Sequence, residues 1–124
     1  PGGAMVTQAT SPFYARDAFW CIERTLAAAL PDDHPGGPLH TRPYLINVPS
    51  FGEWGFVLAT RQPVDPATLT PSVPTEVLDR TVLPALFRLP KDVAPPDDLQ
   101  INRLDDPVLH RYHMNGWRRF NTTL

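Results

Sequence analysis

Two apolar runs on either side of a short turn constrain the fold of this chain more than any other feature. The first run covers Tyr44–Val48, and the second, almost continuously apolar, covers Trp54–Thr60. Runs of this length between turn residues predict buried strands. The turn itself, residues 49–53, reads Pro-Ser-Phe-Gly-Glu, in which proline fixes φ and glycine accepts unusual backbone geometry. The stretch therefore predicts an antiparallel hairpin.

The turn of this hairpin allows two interpretations. Phe51 and Glu53 would offer an aromatic ring and a carboxylate to a ligand if the loop is exposed. The alternative is an ordinary hairpin in which Phe51 packs under the turn, because most loops only connect the elements beside them.

A strand and a helix precede the hairpin. Ala4–Ala9 predicts a short strand, and Ser11 and Pro12 suit the N-cap and first position of a helix over Phe13–Leu30. Apolar residues recur on one face of this helix at three- and four-residue spacing. They are Ala15, Phe19, Ile22, Leu26 and Ala29. The order strand, helix, strand predicts that the first two strands run parallel, with the third antiparallel to the second.

Composition sets the size and excludes some partners. A chain of 124 residues with 42% hydrophobic residues predicts one modest domain. A net charge of −2 argues against nucleic acid as the main partner, because phosphate binding requires a basic surplus. Cys21 is the one cysteine, so an internal disulfide is excluded and a buried thiol is expected. No apolar run reaches the roughly 18–20 residues of a membrane span, and no signal peptide is visible.

The second half of the chain is rich in proline. The chain has 16 prolines, densest from Pro63 to Pro96, which predicts long extended connections. A weak helix is expected over Glu76–Phe87, interrupted at Pro84. Acidic residues precede a clearer helix from Pro107 to about Phe120. We therefore expect residues 1–60 to form a βαββ unit and residues 61–124 a Pro-rich extension with one or two helices packed on it.

Metal and phosphate sites are not expected. His34 beside two aspartates lies in a Gly/Pro loop, which rarely holds a preformed coordination geometry. His110, Arg111 and His113 would form either a cationic patch or a solvated helix face, and the second is the more common arrangement. The sequence has no Gly-rich phosphate loop, Cys/His metal spacing or nucleophile elbow.

Several segments together resemble the C-terminal part of a bacterial spermidine synthase, a polyamine aminopropyltransferase. The similarity is closest to the long forms that carry a membrane-spanning N-terminal region, and it is densest from Gly2 to Thr60. The matching segments are 6–12 (VTQATSP), 18–22 (AFWCI), 48–56 (VPSFGEWGF) and, more weakly, 101–105 (INRLD) with 107–109 (PVL) and Tyr112.

The resemblance implies the C-terminal portion of a methyltransferase-like Rossmann fold, an α/β class in which the last strand is antiparallel. It also implies transfer of an aminopropyl group from decarboxylated S-adenosylmethionine to putrescine or a similar diamine. The family's donor-binding loop and catalytic aspartate precede a turn like Pro1-Gly2-Gly3. On this resemblance the chain holds no catalytic residue, binds no cofactor by itself and is inactive alone.

Substrate-binding residues are expected where the first and second strands end, because ligands of open α/β sheets lie beyond the carboxyl ends of the parallel strands. A diammonium ligand needs hydrogen-bond acceptors and aromatic faces. The candidates are Gln8, Ser50, Phe51, Glu53 and Trp54. Many family members have a tyrosine in this region, so Phe51 leaves the diamine specificity open. Trp54 could instead fill the core, and Gln8 could instead bond to backbone at a strand end.

Two other functions fit the same resemblance. One is a non-catalytic binding or assembly module that keeps the fold, and the other is an S-adenosylmethionine-dependent methyltransferase acting on another nucleophile. We also expect a soluble, cytoplasmic domain of a parent protein that could be membrane-anchored. An open edge at the first strand, or an uncovered helix face, predicts a homo-oligomer.

Overall fold

The computed structural model of the chain describes residues 2–121. The elements, in chain order, are strand β1 (Ala4–Gln8), helix α1 (Arg16–Ala27), strands β2 (His40–Val48) and β3 (Gly52–Thr60), the short helix α2 (Val82–Ala85) and helix α3 (Val108–Asn121). Two single 3-10 turns, at Pro66–Thr68 and Lys91–Val93, interrupt the otherwise irregular second half. The predicted α/β class, with strand, helix, strand, strand in that order, is confirmed.

The three strands form one sheet in the order β1-β3-β2. β2 and β3 pair as an antiparallel hairpin from Val48↔Gly52 to His40↔Thr60, as predicted. β1 is also antiparallel to β3, with Ala4 opposite Thr60. β1 and β2 therefore run in the same direction, as predicted, but they are separated by β3. The most apolar strand takes the central position because that position buries it best.

One face of the sheet packs on α1 and forms the core. Gly55, Val57 and Ala59 of β3 are buried on this face, and Phe19 of α1 is fully buried against Val57 in the same cluster. Gly55 can occupy this position because it has no side chain. A Cβ placed there would lie 2.5 Å from two ring carbons of Phe19 and 2.8 Å from the carbonyl oxygen of Thr10.

Helix α1 is shorter than the pattern predicted, because the chain turns before it enters the helix. Residues 12–14 form a turn in which the Tyr14 N–H donates to Ser11 Oγ at 3.2 Å. The Ala15 N–H donates to the Ser11 carbonyl at 2.8 Å. Ser11 thus caps this turn rather than α1 itself, whose first residue is Arg16.

The lone thiol is buried, as predicted. Cys21 of α1 is fully inaccessible to solvent. Burial raises the pKa of the Cys21 thiol, although the Thr25 hydroxyl close to it acts in the opposite direction. The thiol is therefore protonated at neutral pH and serves as a small apolar group.

Side chains of α1 hold the Pro-rich second half in place. The indole N–H of Trp20 donates to the Val93 carbonyl at 2.7 Å. The Arg24 guanidinium donates to the carbonyls of Pro96 and Leu99 at 3.1 and 3.3 Å. Donors from a regular helix thus satisfy backbone acceptors of a segment without regular structure. Across residues 2–121, no helix combines the length and apolar character needed to cross a membrane.

The close approach at Gly55 gives a stability prediction. Gly55→Ala should lower the free energy of unfolding by about 1–3 kcal/mol, because a methyl group at this contact forces the Phe19 ring or the Thr10 backbone to move. Urea denaturation followed by circular dichroism measures the change. Gly3→Ala is the matched control: its Cβ would meet nothing within 4 Å, so the change should stay within about 0.5 kcal/mol. Equal losses in both variants would contradict the packing described here.

Candidate functional site

A cavity of about 290 Å³ lies at the edge of the sheet where β1 and β2 end. It is lined by Gln8, Val48, Phe51, Trp54 and Phe56. Three of the side chains predicted from the sequence, Gln8, Phe51 and Trp54, therefore share one cavity. In open α/β sheets, ligands generally bind beyond this edge.

The register of the strands explains why these side chains meet. Gln8 of β1 lies directly opposite Phe56 of β3. Trp54 precedes Phe56 by two residues and so projects from the same face of the sheet, because successive side chains alternate. This face is opposite to the one that packs on α1. The turn after Val48 then brings Phe51 over the end of the hairpin.

The turn exposes Phe51 rather than burying it. Ser50 and Gly52 both have left-handed backbone conformations, with φ of +73° and +80°, and the Phe51 N–H donates to the Val48 carbonyl at 2.9 Å. The Phe51 side chain is 64% exposed. Its ring meets the Trp54 ring edge to face, at a centroid distance of 6.1 Å. The alternative in which Phe51 packs under the turn does not hold.

Ser50 and Glu53, also predicted from the sequence, do not line this cavity. Glu53 precedes Trp54 directly, so the alternation of the strand places it on the other face of the sheet. There it borders a separate cavity with Leu45 and Asn47. Ser50 is an exposed residue of the turn. The sequence pattern predicts both residues at this edge of the sheet but does not distinguish its two faces.

Trp54 is neither a core residue nor a freely exposed one. Its ring contacts Phe51 on one side and lies 6.4 Å from the ring of Trp117 in α3. The Trp54 Nε1 atom is buried and has no hydrogen-bond partner among the described residues. Alternation along β3 could have added Phe56 to the predicted site. The contact with Trp117 joins positions too far apart in the sequence for any local pattern to suggest it.

We call this first cavity, lined by Gln8, Val48, Phe51, Trp54 and Phe56, the aromatic cavity. Its lining contains no ionisable side chain. Next to it, Tyr44 stacks on Phe56 at 5.4 Å, and burial raises the pKa of the Tyr44 hydroxyl. The cavity offers aromatic faces, an aliphatic side chain and one amide. Such a surface can hold an alkyl chain and attract a cation to its rings, but it has no group that takes up a proton at neutral pH.

A second cavity, of about 440 Å³, lies beside the first and shares Gln8 with it. His110 and His113 line it together with Thr10, whose buried hydroxyl has no hydrogen-bond partner in the described part of the chain. Arg111 pairs instead with Asp106 at 3.3 Å, and both side chains are largely exposed, so the three residues do not form one patch and the solvated helix face is the better description. Within residues 2–121, His, Cys, Asp and Glu side chains do not gather in threes as metal ligands would.

The order of helices and strands and the topology of the sheet place the chain in the α/β class of proteins, with part of a Rossmann-like sheet. No protein-family model matches it. The polyamine aminopropyltransferase of Oceanobacillus iheyensis is 34% identical over 123 residues, covering 97% of this chain and 22% of that protein. The enzyme of the same name from Leptospira interrogans is 38% identical over 112 residues, or 90% of this chain and 20% of that protein.

Polyamine aminopropyltransferase 2 of Ralstonia nicotianae is similar as well, with 39% identity over 117 residues, covering 93% of this chain and 21% of that protein. The chain thus spans about a fifth of the length of the curated relatives it matches. The predicted resemblance is confirmed: along nearly its whole length the chain resembles one part of the bacterial polyamine aminopropyltransferases.

The exposure of Phe51 predicts a contrast between two phenylalanines. Phe51→Ala should change the free energy of unfolding by no more than about 0.5 kcal/mol, because the ring packs on little besides Trp54. Phe19→Ala should cost about 3–5 kcal/mol, because this ring is completely buried. Thermal and urea denaturation of the two variants measure the difference. A loss at Phe51 close to that at Phe19 would mean that the ring belongs to the core.

Proposed function

We propose that this chain is the acceptor-side part of a spermidine synthase-like aminopropyltransferase and that its aromatic cavity binds a putrescine-like diamine. The observation that carries the proposal is the meeting of Gln8, Phe51 and Trp54 in one cavity. The similarity to polyamine aminopropyltransferases supports the same assignment.

The lining suits both parts of a diamine. The methylene chain of the ligand would lie along Val48 and Phe56, which removes apolar surface from water. The faces of Phe51 and Trp54 would attract an ammonium group by cation–π interaction. The Gln8 side-chain oxygen would accept a hydrogen bond from the same group. Neither Ser50 nor Glu53 lines the cavity, so we leave both out of the direct contacts.

The reaction would be a direct displacement. A neutral amine of the diamine attacks the aminopropyl carbon next to the sulfonium of decarboxylated S-adenosylmethionine. A C–N bond forms, the C–S bond breaks, and the sulfur leaves as a neutral thioether. The amine proton must pass to a base. Since no ionisable group lines the cavity, this base would come from outside the acceptor wall. Because the chain spans about a fifth of the length of its relatives, the donor site would lie in another part of such an enzyme, and this chain should be inactive by itself.

Diamine binding gives the direct test. In ¹⁵N-labelled chain, 1,4-diaminobutane should shift the indole signal of Trp54 and the side-chain amide of Gln8, whereas butane-1,4-diol, which lacks charge, should not. Gln8→Leu should weaken binding about threefold to tenfold, because a hydrogen bond to a charged group is lost at an open site. Gln62→Leu, at an exposed position outside the cavity, should bind like the parent chain.

Two results would count against this assignment. If the diol shifts the same signals as the diamine, or if neither ligand does, the cavity is not a diamine site. Aminopropylated product formed by this chain alone, with decarboxylated S-adenosylmethionine present, would show that it carries the donor site and base as well.

We further propose that two copies of this chain associate through the outer edge of β1. Within residues 2–121, β1 pairs on one side only. Met5 and Val6 at this edge are 46% and 52% exposed. An exposed strand edge with apolar side chains is a template for pairing with another strand.

The edge predicts the state of the chain in solution. Light scattering coupled to size exclusion should give the mass of a dimer, and Val6→Lys should shift it toward the monomer, because a charge at the edge opposes pairing. Val77→Lys, at a 76% exposed loop position, should leave the dimer intact. A parent chain that stays monomeric at high concentration would contradict the proposed interface.

A further inference from the structure

Helix α3 approaches the first turn of the α1 region very closely at Gly116. A Cβ on this glycine would lie 2.7 Å from the Tyr14 carbonyl oxygen and 2.8 Å from the Ala15 Cα. Any side chain larger than hydrogen would force the two segments apart. The missing side chain therefore allows α3 to pack this closely against the turn.

The next residue along α3, Trp117, uses this approach to reach two aromatic rings. It stacks on Tyr14, with centroids 5.0 Å apart and ring planes inclined by 14°. Its other neighbour in β3 is Trp54, at a centroid distance of 6.4 Å. Tyr14 is itself held by the buried Ser11, whose hydroxyl accepts from its N–H. A fixed turn thus holds Trp117, and Trp117 contacts a wall of the aromatic cavity.

Within the described residues, no hydrogen bond restrains the Trp54 indole. Its Nε1 atom has no hydrogen-bond partner, and its second aromatic neighbour, Phe51, is largely exposed. Of the two ring contacts of Trp54, the one with Trp117 is therefore the contact to a ring that is itself stacked within the fold. A binding surface that is already held in one orientation loses less conformational entropy when a ligand binds.

We infer that Trp117 is a positioning residue for the candidate site: it does not line the aromatic cavity, but it holds Trp54 in the orientation that forms the cavity wall. The role for ligand binding rests on the proposed function. The role in ordering Trp54 rests on the ring contacts alone. Helix α3, far along the sequence from the hairpin, thereby becomes part of the site.

The experiment compares three variants of the ¹⁵N-labelled chain. Trp117→Ala removes the restraint, and Trp117→Phe keeps an aromatic ring in the same place. Phe13→Ala is the matched control, because Phe13 belongs to the same aromatic cluster through Tyr14 and Phe120 but has no ring contact with Trp54. Two quantities are measured: the heteronuclear NOE of the Trp54 indole and the dissociation constant for 1,4-diaminobutane.

Trp117→Ala should lower the indole NOE and weaken diamine binding about threefold to tenfold, the cost of ordering one free side chain. Trp117→Phe should restore most of both, and Phe13→Ala should change neither. If Trp117→Ala does not give a dispersed spectrum, Trp117→Leu, which fills more of the space, carries the test. If Trp117 only stabilised the fold, Phe13→Ala and Trp117→Ala would lower the free energy of unfolding alike. The NOE of the Trp54 indole would then show no selective change in Trp117→Ala.

The two hypotheses fail in different ways. If the parent chain does not respond to the diamine, the proposed function is wrong, and the NOE of Trp54 still decides whether Trp117 positions it. If the parent chain binds and Trp117→Ala binds equally well with an unchanged NOE, the positioning role is wrong and the acceptor site stands.

Discussion

The contact between Phe19 and Gly55 is the constraint on which the rest of this structure depends. The ring of Phe19 occupies the space that a side chain at position 55 would need. The same glycine accepts a hydrogen bond from the Ala9 N–H at 2.8 Å and donates to the Thr10 carbonyl at 2.7 Å. One residue therefore fixes the distance of α1 from the sheet and the path of the chain as it leaves β1. That path brings Gln8 to the cavity edge.

The second half of the chain is held in place by hydrogen bonds between side chains and backbone. It has little regular structure of its own, and its backbone acceptors are met by donors from α1, namely Trp20 and Arg24. In the other direction, the Asn102 N–H donates to the Thr25 hydroxyl at 2.8 Å, while Asn102 Oδ1 accepts from Leu109 at the start of α3. The extension is thus tied to the core by side chain to backbone bonds, and this path leads directly to the helix that carries Trp117.

Much of this arrangement could be predicted from the sequence, because it depends on local patterns. The hairpin, α1 and α3 follow from periodicity and turn residues, and the common edge of Gln8, Phe51 and Trp54 follows from strand direction. The central place of β3 could not be predicted, since a returning strand can pair on either side of its neighbour. The loop pattern favours Glu53 as a site residue, but alternation along β3 places it on the other face. Trp117 could not be found because its contact with Trp54 depends on the packing of two distant segments.

The strand order also affects how the chain can fold. β2 and β3 are adjacent in sequence and pair across a tight turn, so they can form early at little cost in loop entropy. Within residues 2–121, β1 pairs with β3 alone, and its partner residues lie about fifty positions further along the chain. Of these three strands, β1 therefore comes first in the chain but can join β3 only after the other two have been made. Within residues 2–121, the only strand that pairs with β1 is complete when Thr60 has been made, so the hairpin of β2 and β3 is the natural nucleus onto which β1 later docks.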